Sequence, residues 1–406
     1  MHSDKTQYYL DLEDQYGAHN YHPLPVVLNR GEGVYLWDVD NKRYFDFLSG
    51  YSAVNQGHCH PTIIRALIAQ AQKLTLTSRA FHSELLSEFT QYITAYFGYD
   101  KVLPMNTGVE AVETAIKLCR RWGYDVKGIP ANQAKILVCG NNFHGRTSTV
   151  ISFSTDPSSY DRFGPFMPGF EVVPYNDLEA LSKALQDKNV AGFLVEPIQG
   201  EAGVVIPDDG YLKTAKQYCA DARVLFIADE IQTGLCRTGK MLACDHEGVR
   251  ADILIIGKAL SGGVLPASAV LADNEVMMNI KPGEHGSTYG GNPLACKVAM
   301  AALDVLKDEE MADNAEAMGQ LFRDELAAMQ SPHIQLIRGR GLLNAIVIKH
   351  ANPEAAWDLC LAMKDRGLLA KPTHGDKIRL SPPLCINREE VLEAVQIIAD
   401  SLHILD

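Results

Sequence analysis

The 406-residue chain contains no apolar run that approaches the ~20 residues a bilayer-spanning helix needs. It has no basic tract either. Its 37 Lys and Arg face 50 Asp and Glu, a net charge of -13 that argues against nucleic acid or anionic membrane as a partner. Small anions held by individual arginines stay possible. The nine cysteines include no CxxC pair and are odd in number, which suits reduced thiols better than a disulfide framework. No apolar segment opens the chain, and Asp4, Asp11, Glu13 and Asp14 make its start unlike a secretory signal or a basic transit peptide. The expectation is a cytoplasmic protein, mitochondrial only if a presequence has been removed. His58-Cys59-His60 lacks further ligands at zinc-site spacing and reads as a tight turn before Pro61. Repeats, low-complexity tracts and Ser/Gly linkers are also missing. At this length, beyond the size at which one core keeps growing, that implies two tightly packed domains.

What the chain does have is alternation. Residues 33–38 and 43–47 flank an Asp40-Asn41 turn and read as a hairpin. From Pro61 onward, amphipathic stretches at 63–74, 83–97 and 110–122 read as helices, and short apolar runs at 134–139, 192–196, 224–229 and 253–257 as strands. Alternation at this spacing means βαβ units and an α/β fold with a mostly parallel sheet between helices. Beyond Asn292-Pro293, a cap followed by proline at the first helical position, the character changes. Helices at 294–308, 311–329 and 353–366 and strands at 334–338 and 343–349 precede a last helix, with Asn387 and Glu390 at capping-box spacing. This part reads as a smaller α+β domain, and the N-terminal hairpin is a candidate to join it.

Two apolar runs end in ionisable residues, 224–229 in Asp229 and 253–257 just before Lys258. Ligands of open α/β sheets bind beyond the carboxyl ends of the strands, so the pattern delivers a carboxylate and an amine to one site. A buried lysine tends to lose its proton and become nucleophilic, and a buried aspartate stays ionised beside a positive partner. A pyridoxal phosphate site needs both, although an ordinary ion pair at a sheet edge would look the same. Asn106-Thr107-Gly108-Val109-Glu110 opens a helix, where small residues offer free N–H groups to a phosphate, or where Thr107 or Asn106 simply caps. Gly286-Ser287-Thr288-Tyr289-Gly290-Gly291-Asn292 is a second small polar loop before a helix. Phe143 and Arg146 follow a strand onto the same edge, one able to stack on a ring and the other to pair with a carboxylate. Glu196 and Glu201 end another strand; a glycosidase pair is a weak reading, since an offset within one loop says little about their separation. Arg379 holds a strand-like position in the second domain. Together these are the parts of a pyridoxal-phosphate aminotransferase.

Longer stretches carry a family resemblance. Asp229-Glu230-Ile231-Gln232-Thr233-Gly234 and Gly257-Lys258-Ala259-Leu260-Ser261-Gly262-Gly263 resemble the class III (ω-amino acid) aminotransferases of fold type I, and the match runs nearly end to end. Tyr16-Gly17-Ala18-His19-Asn20-Tyr21-His22-Pro23 and Ser49-Gly50-Tyr51-Ser52-Ala53-Val54-Asn55-Gln56-Gly57-His58 point to the branch that acts on ornithine. The resemblance implies a large domain (45–293) with a mostly parallel seven-stranded sheet, and a small domain built from 1–44 and 294–406. It implies pyridoxal 5'-phosphate as cofactor and a homodimer with shared active sites. By the same resemblance Lys258 takes the cofactor aldehyde and shuttles the proton, and Asp229 pairs with the ring nitrogen. Gly108 and Val109 hold the phosphate, which Thr288 reaches from the other subunit. Phe143 and Ile231 cover the two ring faces, and Gln232 bonds the ring hydroxyl.

The implied substrates are ornithine, reacting through its δ-amine, and 2-oxoglutarate, which leaves as glutamate. Arg146 is expected to hold ornithine's distant carboxylate and Tyr21 its α-amino group, while Tyr51 shapes the pocket. Arg379 is expected to bind the carboxylate next to the reacting carbon of 2-oxoglutarate. Glu201 covers Arg379 for ornithine and swings away for glutamate. N-acetylornithine and 4-aminobutyrate are the rival substrates; Tyr51, usually aliphatic in the acetylornithine enzymes, weighs against the first. A cofactor-less binding protein is a further alternative, opposed by Lys258. His144 departs from a Trp of some animal enzymes and bears on the fine shape of the pocket.

Overall fold

The computed structural model describes residues 3–406. Its largest sheet has seven strands, in spatial order Lys101–Met105, Ser268–Ala272, Ile253–Ile256, Leu225–Asp229, Val190–Val195, Lys135–Cys139 and Phe170–Val173. Ser268–Ala272 runs antiparallel to both neighbours; the other pairs are parallel. The three central β-branched runs are buried on both faces, as sequence reading expects. Three strands escape that reading for physical reasons. Lys101–Met105 contains Pro104, which a central strand does not tolerate but this edge strand does. Phe170–Val173 is a short, half-exposed edge strand, and Ser268–Ala272 is built largely from small residues.

Helices cover both faces. Gly108–Trp122 buries Ala111, Val112, Ala115 and Ile116 in a core with Ile136, Ile227 and Ile255. On the other face Tyr211–Asp221 packs with Leu137, Phe193 and Phe226. Asp229 lies opposite Ile255 in register, so the strands bearing Asp229 and preceding Lys258 deliver both residues to one edge.

Two four-stranded sheets lie outside this core. The expected hairpin forms from Tyr35–Asp38 and Arg43–Asp46. It gains a preceding strand, Leu28–Glu32, and a parallel partner from far along the chain, with Phe45 opposite Leu368. The second sheet orders Ile334–Arg340, Leu343–Ile348, Lys377–Leu380 and Lys371–Thr373. Asn292 caps the helix Pro293–Asp308, and Asn387 and Glu390 form the capping box of Arg388–Leu402. A helix at Asp4–Tyr16, which sequence reading did not find, docks through Ser3 and Thr6 hydroxyls on Asp40 at 2.6 and 2.8 Å. The His58-Cys59-His60 segment is a turn whose His60 caps the helix Pro61–Ala71, while His58 Nε2 lies 2.7 Å from Asp46 Oδ2.

Arg237 ties the large sheet's surroundings to the C-terminal part. Fully buried, it donates to Leu342 O (3.0 Å), Pro382 O (2.6 Å) and Asn55 Oδ1 (2.6 Å), with no carboxylate in contact among the described residues.

Candidate active site

Beyond the carboxyl ends of the central strands lies a cavity of about 180 Å³ lined by Asp229, Lys258, Phe143, His144, Ile231 and Gln232 among others. Five of these were expected from the sequence; His144 enters as a wall residue. Where Ile253–Ile256 ends, Gly257 is extended and Lys258 takes a left-handed φ of +45°. A side-chain-bearing residue adopts that conformation at a cost of about 1–3 kcal/mol, and such strain concentrates at functional sites. Burial, helped by Arg379, pushes the Lys258 amine down to about 8 despite Glu201, Asp229 and Glu196 nearby. The group sequence reasoning sought is therefore present, an amine that sheds its proton near neutrality.

Asp229 is 4% exposed. Its Oδ1 accepts from the Ile231 N–H at 3.1 Å, and its Oδ2 sits 2.7 Å from His144 Nδ1. A carboxylate only accepts, so Nδ1 carries the proton. Burial opposes a charge on His144, but the hydrogen bond and charge of Asp229 outweigh it and hold the imidazole above its usual range. His144 thus braces Asp229 while also forming part of the cavity wall. Glu196, also buried beside this pair, accepts from the Phe143 N–H at 3.0 Å, and burial pushes its carboxyl up to about 7. The signal for Glu196 was in the sequence, directly after a strand; its place beneath Asp229 was not.

At the other end of the cavity the helix Gly108–Trp122 begins. Thr107 caps it, and the Glu110 carboxylate accepts from the Thr107 N–H (2.6 Å) and the Asn106 N–H (3.2 Å). The two readings of this turn hold together, since the cap leaves Gly108 and Val109 at the first helical positions, where no intrahelical partner exists for their N–H groups. A Cβ on Gly108 would come 3.0 Å from Ile231 Cδ1, and one on Gly145, at φ +121°, would overlap Val109. Both glycines permit the close approach that shapes the cradle.

The remaining expected residues form an outer ring. Glu201 Oε1 lies 2.8 Å from Nη2 of Arg379, which is 1% exposed, and accepts from Gln232 Nε2 at 3.1 Å. Burial opposes the Glu201 charge, yet Arg379, Lys258 and Gln232 together keep its carboxyl below the usual range. Tyr51 lies under Arg379, its ring centroid 4.9 Å from the guanidinium carbon. Its display is unusual, because Ser49, Gly50, Tyr51 and Ser52 all take left-handed φ values, from +50° to +71°. Asp46 holds this turn by accepting from the Leu48 and Ser49 N–H groups at 2.9 and 2.8 Å. Arg146 stands 6.0 Å from the Phe143 ring and 5.9 Å from that of Tyr21, which is 65% exposed. Thr288 is exposed and does not line the cavity; its neighbour Ser287 accepts from Asn106 Nδ2 at 2.8 Å.

This site on this sheet defines a class of enzyme. The family model of class-III aminotransferases matches residues 16–402, and the chain belongs to that family. The rat protein named "Ornithine aminotransferase, mitochondrial" is 62% identical over 97% of this chain and 90% of its own length. A structure of the ornithine aminotransferase from Toxoplasma gondii, whose description states partial occupancy of PLP at its active site, has a TM-score of 0.97 at 50% identity, covering 98% of this chain and 94% of that one. Acetylornithine aminotransferase from Elizabethkingia anophelis has a TM-score of 0.90 at 56% identity, covering 98% of this chain and 99% of that one.

Pyridoxal phosphate fits the residues present. The cavity offers an amine at one point and a carboxylate at another, two helix-terminal N–H groups, and two buried polar atoms, Gln232 Oε1 and His144 Nε2, that have no protein partner.

Proposed function

We propose that this aminotransferase moves the δ-amino group of ornithine to 2-oxoglutarate, yielding glutamate and the semialdehyde that cyclises to pyrroline-5-carboxylate. The observation that carries the reading is the Glu201–Arg379 pair beside Lys258. Arg379 is suited to a carboxylate next to a reacting carbon, and with Glu201 in place that position repels α-amino acids. A substrate whose amine lies far from its carboxylate then enters amine first. Arg146 and Tyr21, together at the outer side of Phe143, are placed to hold that distant carboxylate and the α-amino group.

Bound pyridoxal phosphate supplies the electron sink and carries the amino group between substrates. Gly108 and Val109 would hold the phosphate through their N–H groups, Phe143 and Ile231 would pack against the ring, and Gln232 would bond its hydroxyl. Asp229, oriented by its His144 hydrogen bond, would pair with the ring nitrogen. Lys258 receives and returns protons at its Nζ, which its lowered basicity allows near neutral pH. In a homodimer with shared sites, the exposed Thr288 would serve the phosphate of the second copy. The large domain, expected at 45–293, would carry the cofactor, and the Phe45–Leu368 pairing supports joining the N-terminal segment to 294–406 in a small domain. Since Arg43–Asp46 is one strand of the small sheet, the first boundary falls just beyond it. All nine cysteines are free, which suits a reducing compartment.

N-acetylornithine is the second reading, favoured by the 56% identity to the Elizabethkingia enzyme. Single-turnover measurements with ornithine, N-acetylornithine and 4-aminobutyrate decide between them. Ornithine should consume the protein-bound cofactor's visible absorbance fastest, and a faster reaction with either rival would overturn the assignment. Glu201→Ala should react with glutamate at least tenfold faster than the parent enzyme, since each 1.4 kcal/mol of lost repulsion is a factor of ten.

A further inference from the structure

Glu201 stands between two spaces. On one side its carboxylate meets Arg379 and Gln232. On the other it lines a separate cavity of about 470 Å³, whose wall also includes Asp156, Arg338, His374 and Lys377. Of the basic side chains there, Lys377 Nζ donates to Asp376 at 2.6 Å, and His374 lies on an exposed turn. Arg338 differs. It is half-buried and, among the described residues, has no carboxylate partner; its Nη1 donates to Gly203 O at 3.1 Å, two residues beyond Glu201.

The loop between them is fixed. Gln199 and Val205 exchange backbone hydrogen bonds at 3.1 and 2.9 Å across its base, and Gly203 (φ +95°) lies under the Lys377 stem with no room for a Cβ. Movement of Glu201 is therefore a side-chain rotation on a held backbone. A carboxylate pulled from its ion-pair partner in a half-dry site is strongly disfavoured unless a new cation meets it. We propose that Arg338 is the alternate partner of Glu201: the carboxylate leaves Arg379 by rotating into this cavity, pairs with Arg338, and so frees Arg379 for the second substrate. Arg338 acts here as a positioning residue, and the inference rests on the gate assigned to Glu201 above.

The test uses the holoenzyme and rapid-mixing rates for its two half-reactions. Arg338→Gln should slow the glutamate half-reaction about tenfold relative to the ornithine half-reaction, which corresponds to one lost increment of stabilisation. Arg338→Lys, which keeps the charge, should restore most of it. In a Glu201→Ala background, Arg338→Gln should change nothing further. Equal slowing of both half-reactions, or an effect that persists without Glu201, overturns the proposal. If Glu201→Ala itself gains no reactivity with glutamate, the underlying gate falls first, which separates the two failures. A crystal structure of the unmodified holoenzyme with glutarate supplies a check independent of any variant. Glu201 should lie within ion-pair distance of Arg338, and a carboxylate found elsewhere refutes the idea.

Discussion

Lys258 carries the chemistry because of where the chain puts it, past the end of a buried strand, on a left-handed residue and beside a second cation. An ordinary surface lysine stays protonated until about pH 10, whereas burial brings this one to about 8. Only the free amine attacks an aldehyde. Capture of pyridoxal phosphate by the apoenzyme should therefore accelerate as pH rises from 6 and level off above about 8. Mixing experiments followed by absorbance would show this directly; a rate still climbing past pH 9 would contradict the assignment of burial as the cause. His144 and Glu196 illustrate the same dependence on surroundings. Identical side chains on the surface would titrate normally, but beneath Asp229 they form a stack of ionisable groups whose charges decide one another.

At the level of elements, the cofactor cradle depends on a turn approaching a helix closely. Gly145 lets the Phe143–Arg146 segment reach Val109, at a φ that side chains resist. Gly145→Ala should weaken pyridoxal phosphate binding by about tenfold or more, through a backbone shift worth upwards of 1 kcal/mol, while the far-ultraviolet spectrum stays native. Titration of the apoenzyme would measure it, and unchanged affinity would mean the turn has slack. The elements of this edge were legible in advance where burial imposes a pattern. Leu225–Asp229 and Ile253–Ile256 are continuous apolar runs, and Asn292-Pro293 and Asn387 with Glu390 announce their helices. Pro104 concealed an edge strand, and the polar helix Asp4–Tyr16 has no apolar face to reveal it. The left-handed turn at Ser49–Ser52 was equally hidden. Only one of its four residues is glycine, and its conformation is imposed from outside, by Asp46 and by Ser49 Oγ donating to Ser381 O at 2.8 Å. Among the site residues, those at strand ends could be read from order alone. The pairing of Glu201 with Arg379 spans nearly half the chain and could come only from resemblance or from the fold.

At the scale of the whole molecule, Arg237 is a joint between parts. It serves three acceptors on three segments, and burial brings its guanidinium down to about 9, so its bonds hold a charge that water would otherwise favour. Arg237→Leu strands Leu342 O, Pro382 O and Asn55 Oδ1 without their donor. Unfolding by denaturant should show a loss of about 1–3 kcal/mol, the usual cost of leaving buried acceptors without a donor. Full stability in that variant would mean the acceptors find other donors.

The strand pairing near the two ends of the chain has a consequence for synthesis. Arg43–Asp46 emerges from the ribosome early, but Phe45 N–H and Phe47 N–H donate to Gly367 O and Leu369 O, which emerge late. Until those residues are made this strand lacks its second neighbour, and an unpaired strand edge is the condition in which nascent chains attract chaperones and proteases. A product cut short before residue 369 can assemble the cofactor-binding sheet yet still display that open edge. A chain truncated there should accordingly be digested by proteases more readily than the full-length protein.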